Sequence, residues 1–145
     1  MGYDARTGTY VVRVCSAVLH ALLSTAESNP EYIPAKLAIV KGQASLAAAA
    51  QARLYSTSNY YSWIFGLLTV YDKPDAIAAV LSLPKKPELL LWTPLDAMLL
   101  PLSVAAARQE YAFAASVGKS RLSVQHEAGN LASDALTAIV KWFGV

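Results

Sequence analysis

The longest regular pattern of apolar and small side chains lies between Tyr32 and Ser58. At the helical period of about 100° per residue, the apolar positions fall on one arc and side chains no larger than serine fall along another edge. Consecutive alanines at 47–50 add helix propensity. The pattern predicts one long helix whose small edge can approach a second helix or a phosphate backbone closely, and that edge consists of Ala38, Gly42, Ser45, Ala49, Ala52 and Ser56.

Helical spacing of apolar residues recurs along the rest of the chain, and no stretch shows the strict alternation of a half-buried strand. The sequence therefore predicts an all-α fold, a bundle of five to seven helices in one domain over residues 1–145. Residues 1–27 are predicted to form an N-terminal arm or helix. The predicted helices beyond the central one are Thr7–Thr25, Ala76–Leu83, one beginning at Thr93, Leu102–Val117 and Ser123–Phe143.

Composition indicates a chain that associates with copies of itself. Apolar residues make up 55% of the sequence and charged residues only 15%, against about 25% charged residues in an average soluble domain. A domain of this size cannot hide so much apolar surface alone, which favours an oligomer, a filament or a shell, or else contact with lipid. A transmembrane span is not predicted, because no apolar window approaches about 20 uninterrupted residues.

Candidate catalytic and metal-ligating residues are few. The chain has one cysteine and two histidines, so neither a disulfide framework nor a cysteine-based zinc site is predicted. His126 and Glu127 begin like the zinc-protease pattern H-E-x-x-H, but the second histidine is missing. We therefore expect no enzyme activity, no metal and no cofactor.

Basic side chains are the candidate binding residues of the chain. No acidic residue occurs between Tyr32 and Tyr71. Arginine, lysine and glutamine on small-residue helices suit phosphate oxygens rather than base edges, which predicts sequence-independent contact with a nucleic-acid backbone. A solvated basic helix face remains the alternative for Arg13. The predicted contact residues are Arg13, Lys36, Lys41, Gln43, Gln51, Arg53, Arg108, Lys119 and Arg121.

These basic and glutamine positions, the alanine-rich helix and the C-terminal stretch DALTAIVKWFGV resemble the major capsid proteins of filamentous archaeal DNA viruses. The resemblance implies a helical bundle with an N-terminal arm, whose copies wrap double-stranded DNA in an A-like form, in some cases beneath a lipid envelope. It predicts a capsid or nucleoprotein subunit in a virion, which assembles with itself or with a paralogous subunit.

Two other functions remain open at this stage. The stretch SDALTAIVKWF is similar to the closing helix of the small helical subunit of CRISPR effector complexes, which lines a nucleic-acid groove. A helical enzyme or ligand-binding module is the third hypothesis, and it requires a deep pocket that joins His20 or His126 to two acidic side chains.

Overall fold

A computed structural model describes residues 2–4, 9–12, 15–54, 67–126 and 132–144. Short 3-10 turns lie at Pro30–Tyr32, Leu67–Thr69 and Lys119–Arg121. The strands and helices are, in chain order, β1 (Gly2–Asp4), β2 (Thr9–Val12), α1 (Cys15–Thr25), β3 (Lys36–Val40), α2 (Leu46–Gln51), α3 (Lys73–Leu81), β4 (Glu88–Trp92), α4 (Val104–Glu110), α5 (Ala112–Gly118), β5 (Leu122–Gln125) and α6 (Ala132–Phe143).

The strands form one five-stranded sheet in the order β1-β2-β3-β4-β5. β1 pairs with β2 antiparallel, whereas β2, β3, β4 and β5 run parallel to one another. In the centre of the sheet, Leu37 is opposite Leu89 and Ile39 is opposite Leu91. All the carboxyl ends of the parallel strands therefore lie at one edge of the sheet, and their amino ends lie at the other.

Helices cover both faces of the sheet. On one face, Leu37, Ile39, Leu89 and Leu91 share a core cluster with side chains of α1, α3 and α5 and with Tyr111, which joins α4 to α5. On the other face, Ala38, Leu90 and Trp92 share a second cluster with Ile139 of α6. This burial on both sides explains why β3 and β4 read as continuous apolar runs, LAIV and LLLW, instead of alternating sequences.

The prediction of an all-α bundle is wrong, because the chain has a mixed α/β fold. The predicted central helix over Tyr32–Ser58 is replaced by strand β3, a turn and the six-residue helix α2. The small residues assigned to one helix edge consequently separate. Ala38 is buried in the sheet, Ala49 is buried in α2, and Ser56 lies outside the described residues.

Other predicted helices also contain strands or loops, so their boundaries change. The first predicted helix contains strand β2 before α1, and the last contains strand β5 before α6. The segment beginning at Thr93 is an irregular loop, and Leu102–Val117 is divided between α4 and α5. The helix predicted over Ala76–Leu83 is present as α3. Within the described ranges, no helix is both long and apolar enough to cross a bilayer.

Tyr71, between the second 3-10 turn and α3, links the free energy of unfolding to pH in the alkaline range. Its hydroxyl lies 2.6 Å from Nδ1 of His20 in α1, and burial raises the pKa of Tyr71 above its ordinary value of about 10. The folded state therefore holds this proton more tightly than the unfolded chain. The resulting contribution to stability is complete below about pH 10 and is lost as the pH rises above that value.

We expect the free energy of unfolding, measured with urea between about pH 8 and about pH 11, to fall less steeply in Tyr71→Phe than in the wild type. The phenylalanine variant keeps the ring and removes only the titrating hydroxyl, so other tyrosines and lysines contribute equally to both proteins. Identical slopes would show that Tyr71 does not link folding to pH.

Candidate ligand site at the carboxyl ends of the strands

The turns after β3 and β4 meet the end of β5 at the carboxyl edge of the sheet. The turn after β3 donates from Lys41 N to Trp92 O at 2.8 Å, and Leu95 N donates to Gly42 O at 2.9 Å. Thr93 N donates to Gln125 O at the end of β5, also at 2.8 Å. These bonds fix the ends of β3, β4 and β5 relative to one another. Open α/β sheets bind ligands at the carboxyl edge, commonly where the strand order reverses; here β2 to β5 follow in sequential order.

Three of the five described non-glycine residues with positive φ lie at this edge, and the other two, Lys86 and Lys119, precede β4 and β5 at the opposite edge. Lys41, the first residue after β3, has φ 50°, and Thr93, the first residue after β4, has φ 49°. Leu99, in the loop after β4, has φ 62°. Left-handed backbone is costly for residues other than glycine, and most of all for a β-branched threonine. Such strain persists only where the surrounding contacts enforce it, and because it occurs at both edges it does not by itself locate a ligand site.

Asp72 holds the turn after β3 against α3. Its carboxylate accepts hydrogen bonds from Leu46 N at 2.8 Å, Ala47 N at 3.2 Å and the hydroxyl of Ser45. The same carboxylate accepts from Lys73 N at 2.7 Å. One side chain thus satisfies free N–H groups at the first turns of both α2 and α3.

Lys73, the residue after Asp72, also binds the turn after β3. Its side chain is only 3% exposed, and Nζ donates to Gln43 O at 3.1 Å. Gln43 is itself 3% exposed and lies in the turn between β3 and α2. The path of the chain after β3 is therefore fixed by buried polar contacts, which gives the neighbouring cavity a rigid wall.

A cavity of about 330 Å³, hereafter the strand-end cavity, opens between this turn, α2 and the loop after β4. Its volume lies at the lower end of the range of about 300–1,000 Å³ typical of small-molecule pockets. The wall is mostly apolar, with the polar groups of Ser45, Asp96 and Glu110 as exceptions. The apolar and backbone lining comes from Ala44, Ala48, Ala52, Leu54, Leu95, Ala97, Met98 and Leu102.

Asp96 is held in place by its own loop. Its Oδ1 accepts from Met98 N at 2.8 Å and from Leu100 N at 2.9 Å. Asp96 N donates in turn to Leu100 O at 2.8 Å, and Leu102 N donates to Pro94 O. The carboxylate is consequently fixed at the cavity wall although the segment has no regular secondary structure.

Comparisons with known proteins were made for the whole chain. No family model matches it, and neither the curated proteins nor the solved structures give a significant match. The function must therefore be argued from the geometry.

The chain order Ser45, Asp96, His126 across the ends of β3, β4 and β5 is the order of nucleophile, acid and histidine in hydrolases with a strand-turn-helix elbow. Ser45, however, donates to Asp72 and accepts from Ala48 N at 2.9 Å as the N-cap of α2. The strained residue directly after β3 is Lys41 rather than serine. His126 Nε2 is buried without a hydrogen-bond partner among the described residues. The hydroxyl of Ser45 thus has a structural role here.

The predicted nucleic-acid contacts do not gather on one helix. Lys36 lies at the amino end of β3, where Nζ donates to Trp142 O at 3.0 Å and lies 3.9 Å from Glu88 Oε2. Arg121 Nη1 donates to Leu81 O at 2.6 Å, which ties it to the protein's own backbone. Lys119 is exposed at the same amino edge.

The remaining predicted contacts lie elsewhere. Lys41 is half-buried and Gln43 buried in the turn after β3, while Gln51 and Arg53 are exposed at and after the end of α2. Arg108 is exposed on α4, and Arg13 lies outside the described residues. The structure thus brings together only the group that follows β3. Gly42 and Ser45 are buried in that turn, and Ala52 is half-buried beside it.

Sequence reasoning missed Asp72, Asp96 and Glu110, the carboxylates that shape and line this region. The signal was present in the two apolar runs, each of which is followed directly by a turn with polar residues, KGQAS and TPLD. Read as parallel strands, they would have placed Ser45 and Asp96 at one sheet edge. Within the described part of the chain, no three His, Cys, Asp or Glu side chains come close enough to hold a metal ion.

Proposed function

We propose that this domain binds a small organic molecule in the strand-end cavity. The observation that carries the proposal is the position of a cavity of about 330 Å³ at the carboxyl edge of a parallel sheet. Its apolar wall with a few fixed polar groups is the usual composition of a small-molecule site. The hydrogen bonds that join the turns after β3 and β4 preform this wall, so little ordering entropy is lost on binding.

Filling the cavity tests the proposal. Ala48 lines it from α2 and has an exposed side chain, so Ala48→Trp should occupy the space without disturbing the core. We expect ligands that raise the melting temperature of the wild type in a screen of small cationic, neutral and anionic compounds to lose that effect in the variant. Binding should weaken at least tenfold by calorimetry, since the indole takes the volume that the ligand needs.

Ala50→Trp is the matched control, because Ala50 is exposed on the same helix and does not line the cavity. It should bind each hit as the wild type does. Equal binding by all three proteins would place the ligand elsewhere, and a wild type that binds nothing in the screen would reject the proposed function.

A second candidate is the self-assembling capsid or nucleoprotein subunit that the family resemblance implies. The observation in its favour is the outer face of α6, where Leu136 is 66% and Val140 is 40% exposed while Ile139 packs against the sheet. Leu136 and Val140 are one helical turn apart and form an apolar strip that a second copy could cover. The exposed Arg53, Arg108 and Lys119 would then be available to a nucleic-acid backbone.

Under this second hypothesis, Leu136→Lys combined with Val140→Lys should convert a large, nucleic-acid-containing species into monomers in light-scattering chromatography. The charges oppose burial of the strip between copies. Ala115→Lys, an exposed position on α5, is the control and should leave the assembly intact. A wild type that stays monomeric at high concentration and ignores added polynucleotide would reject the hypothesis.

A further inference from the structure

The charged groups of the strand-end cavity have one sign. Asp96 lines it from the loop after β4, and Glu110 lines it from the last residue of α4. None of the described residues that line the cavity is a lysine, an arginine or a histidine. A ligand that enters therefore meets negative charge at two points of an otherwise apolar wall.

Both carboxylates have acceptor oxygens that take no hydrogen bond from any described residue. The backbone bonds to Asp96 end on Oδ1, and Oδ2 has no hydrogen bond from any described residue. Glu110 forms neither a hydrogen bond nor an ion pair within the described part of the chain. A carboxylate that is partly withdrawn from water gains most from a donor that carries positive charge.

We propose that the ligand of the strand-end cavity is an organic cation, a primary amine or a related ammonium group on a compact apolar body. The inference rests on the proposed function and adds the ligand's chemistry. The carboxylates of Asp96 and Glu110 would attract the ammonium group, and the apolar body would contact Ala48, Ala52, Met98 and Leu102. Anions are disfavoured by repulsion from the same two carboxylates. The flexible thioether of Met98 suits a body of irregular shape.

Three probes with the same ring and different charge test this inference: phenethylamine, phenethyl alcohol and phenylacetate. By calorimetry at low salt we expect the amine to bind about fivefold or more tightly than the alcohol, and phenylacetate to bind more weakly than either. The preference for the amine should shrink as salt is added, since screening weakens the attraction.

Glu110→Gln keeps the shape of the side chain and removes its charge. It should reduce the ratio of the affinity for the amine to the affinity for the alcohol, with both measured on the same variant. Glu31→Gln makes the same charge change on an exposed residue that precedes β3 at the opposite edge of the sheet, and it should keep the full preference of the wild type.

The outcomes separate this inference from the proposed function. If the alcohol or phenylacetate binds as tightly as the amine and Ala48→Trp abolishes that binding, the cavity is a ligand site but not a cation site. If Glu110→Gln and Glu31→Gln behave alike, Glu110 does not recognise the charge, and the inference fails. If no probe binds although Ala48→Trp abolishes the binding of other compounds from the screen, only the inference fails; if Ala48→Trp leaves all binding intact, the proposed function fails with it.

Discussion

Asp72→Ala should lower the free energy of unfolding by about 3 kcal/mol, a large fraction of the stability of a domain of this size. The variant loses the acceptor for Leu46 N and Ala47 N in α2 and for Lys73 N in α3. It also leaves the hydroxyl of Ser45 without its acceptor. Each helix start contributes about 1–2 kcal/mol when its cap is intact, and one carboxylate serves both. Urea unfolding followed by circular dichroism measures the loss.

Asp75→Ala is the matched control for this prediction. Asp75 accepts a hydrogen bond from Asp72 N at 3.0 Å and completes the capping box of α3, but it makes no bond to α2. Its removal should cost about 1 kcal/mol or less. Equal losses in the two variants would mean that Asp72 stabilises α3 alone and does not hold the turn after β3.

The Asp72 contact also shows which part of the site could be read from the sequence. Asp72-Lys73-Pro74-Asp75 is recognisable as a helix start, and α3 begins there. The second role of Asp72, at the start of α2, depends on the approach of two segments about 26 positions apart in the chain. Local pattern identifies a cap for the helix that follows it, and only the tertiary fold determines which other N–H groups reach the same carboxylate.

The fold class was mispredicted because buried parallel strands lack the alternation that identifies strands. Leu37, Ala38 and Ile39 are all buried, two facing one core cluster and one facing the other. A short run of this kind fits a helical template as well as a strand. Alanines at 47–50 then extended the apparent helix across a turn whose strained residue, Lys41, carries no sequence signal. The next residue, Gly42, is a turn signal, but the helical template takes it as part of the small edge of one helix.

The site was missed for a related reason. Glu110 and Asp96 lie on a helix end and in an irregular loop, and they line one cavity because β4 delivers the chain to the edge where α2 begins. In a helical bundle nothing would bring the same residues to one cavity. The third hypothesis from the sequence required a pocket with two acidic side chains and a histidine. The cavity has the two acids, and neither His20 nor His126 lines it.

Because both faces of β4 are buried, truncating its leucines should lower the free energy of unfolding strongly. Leu89→Ala and Leu90→Ala should each lower the free energy of unfolding by about 3 kcal/mol, within the range of about 2–5 kcal/mol for large-to-small changes in a core. Both side chains are fully buried at 0% exposure. Leu89 belongs to the cluster with α1, α3 and α5, whereas Leu90 belongs to the cluster with α6. Each substitution therefore leaves a cavity in a different layer.

Leu100→Ala serves as the control, because Leu100 is 60% exposed in the loop after β4, and its loss should stay within about 0.5 kcal/mol. The comparison of Leu89 with Leu90 distinguishes a strand that is covered on both faces from a strand with one face in water. An amphipathic strand with one face in water would lose stability at only one of two adjacent positions, since neighbouring side chains point to opposite faces. Large, similar losses at both are expected only where helices cover both faces, so a small loss at Leu90 would contradict the packing of α6 on the sheet.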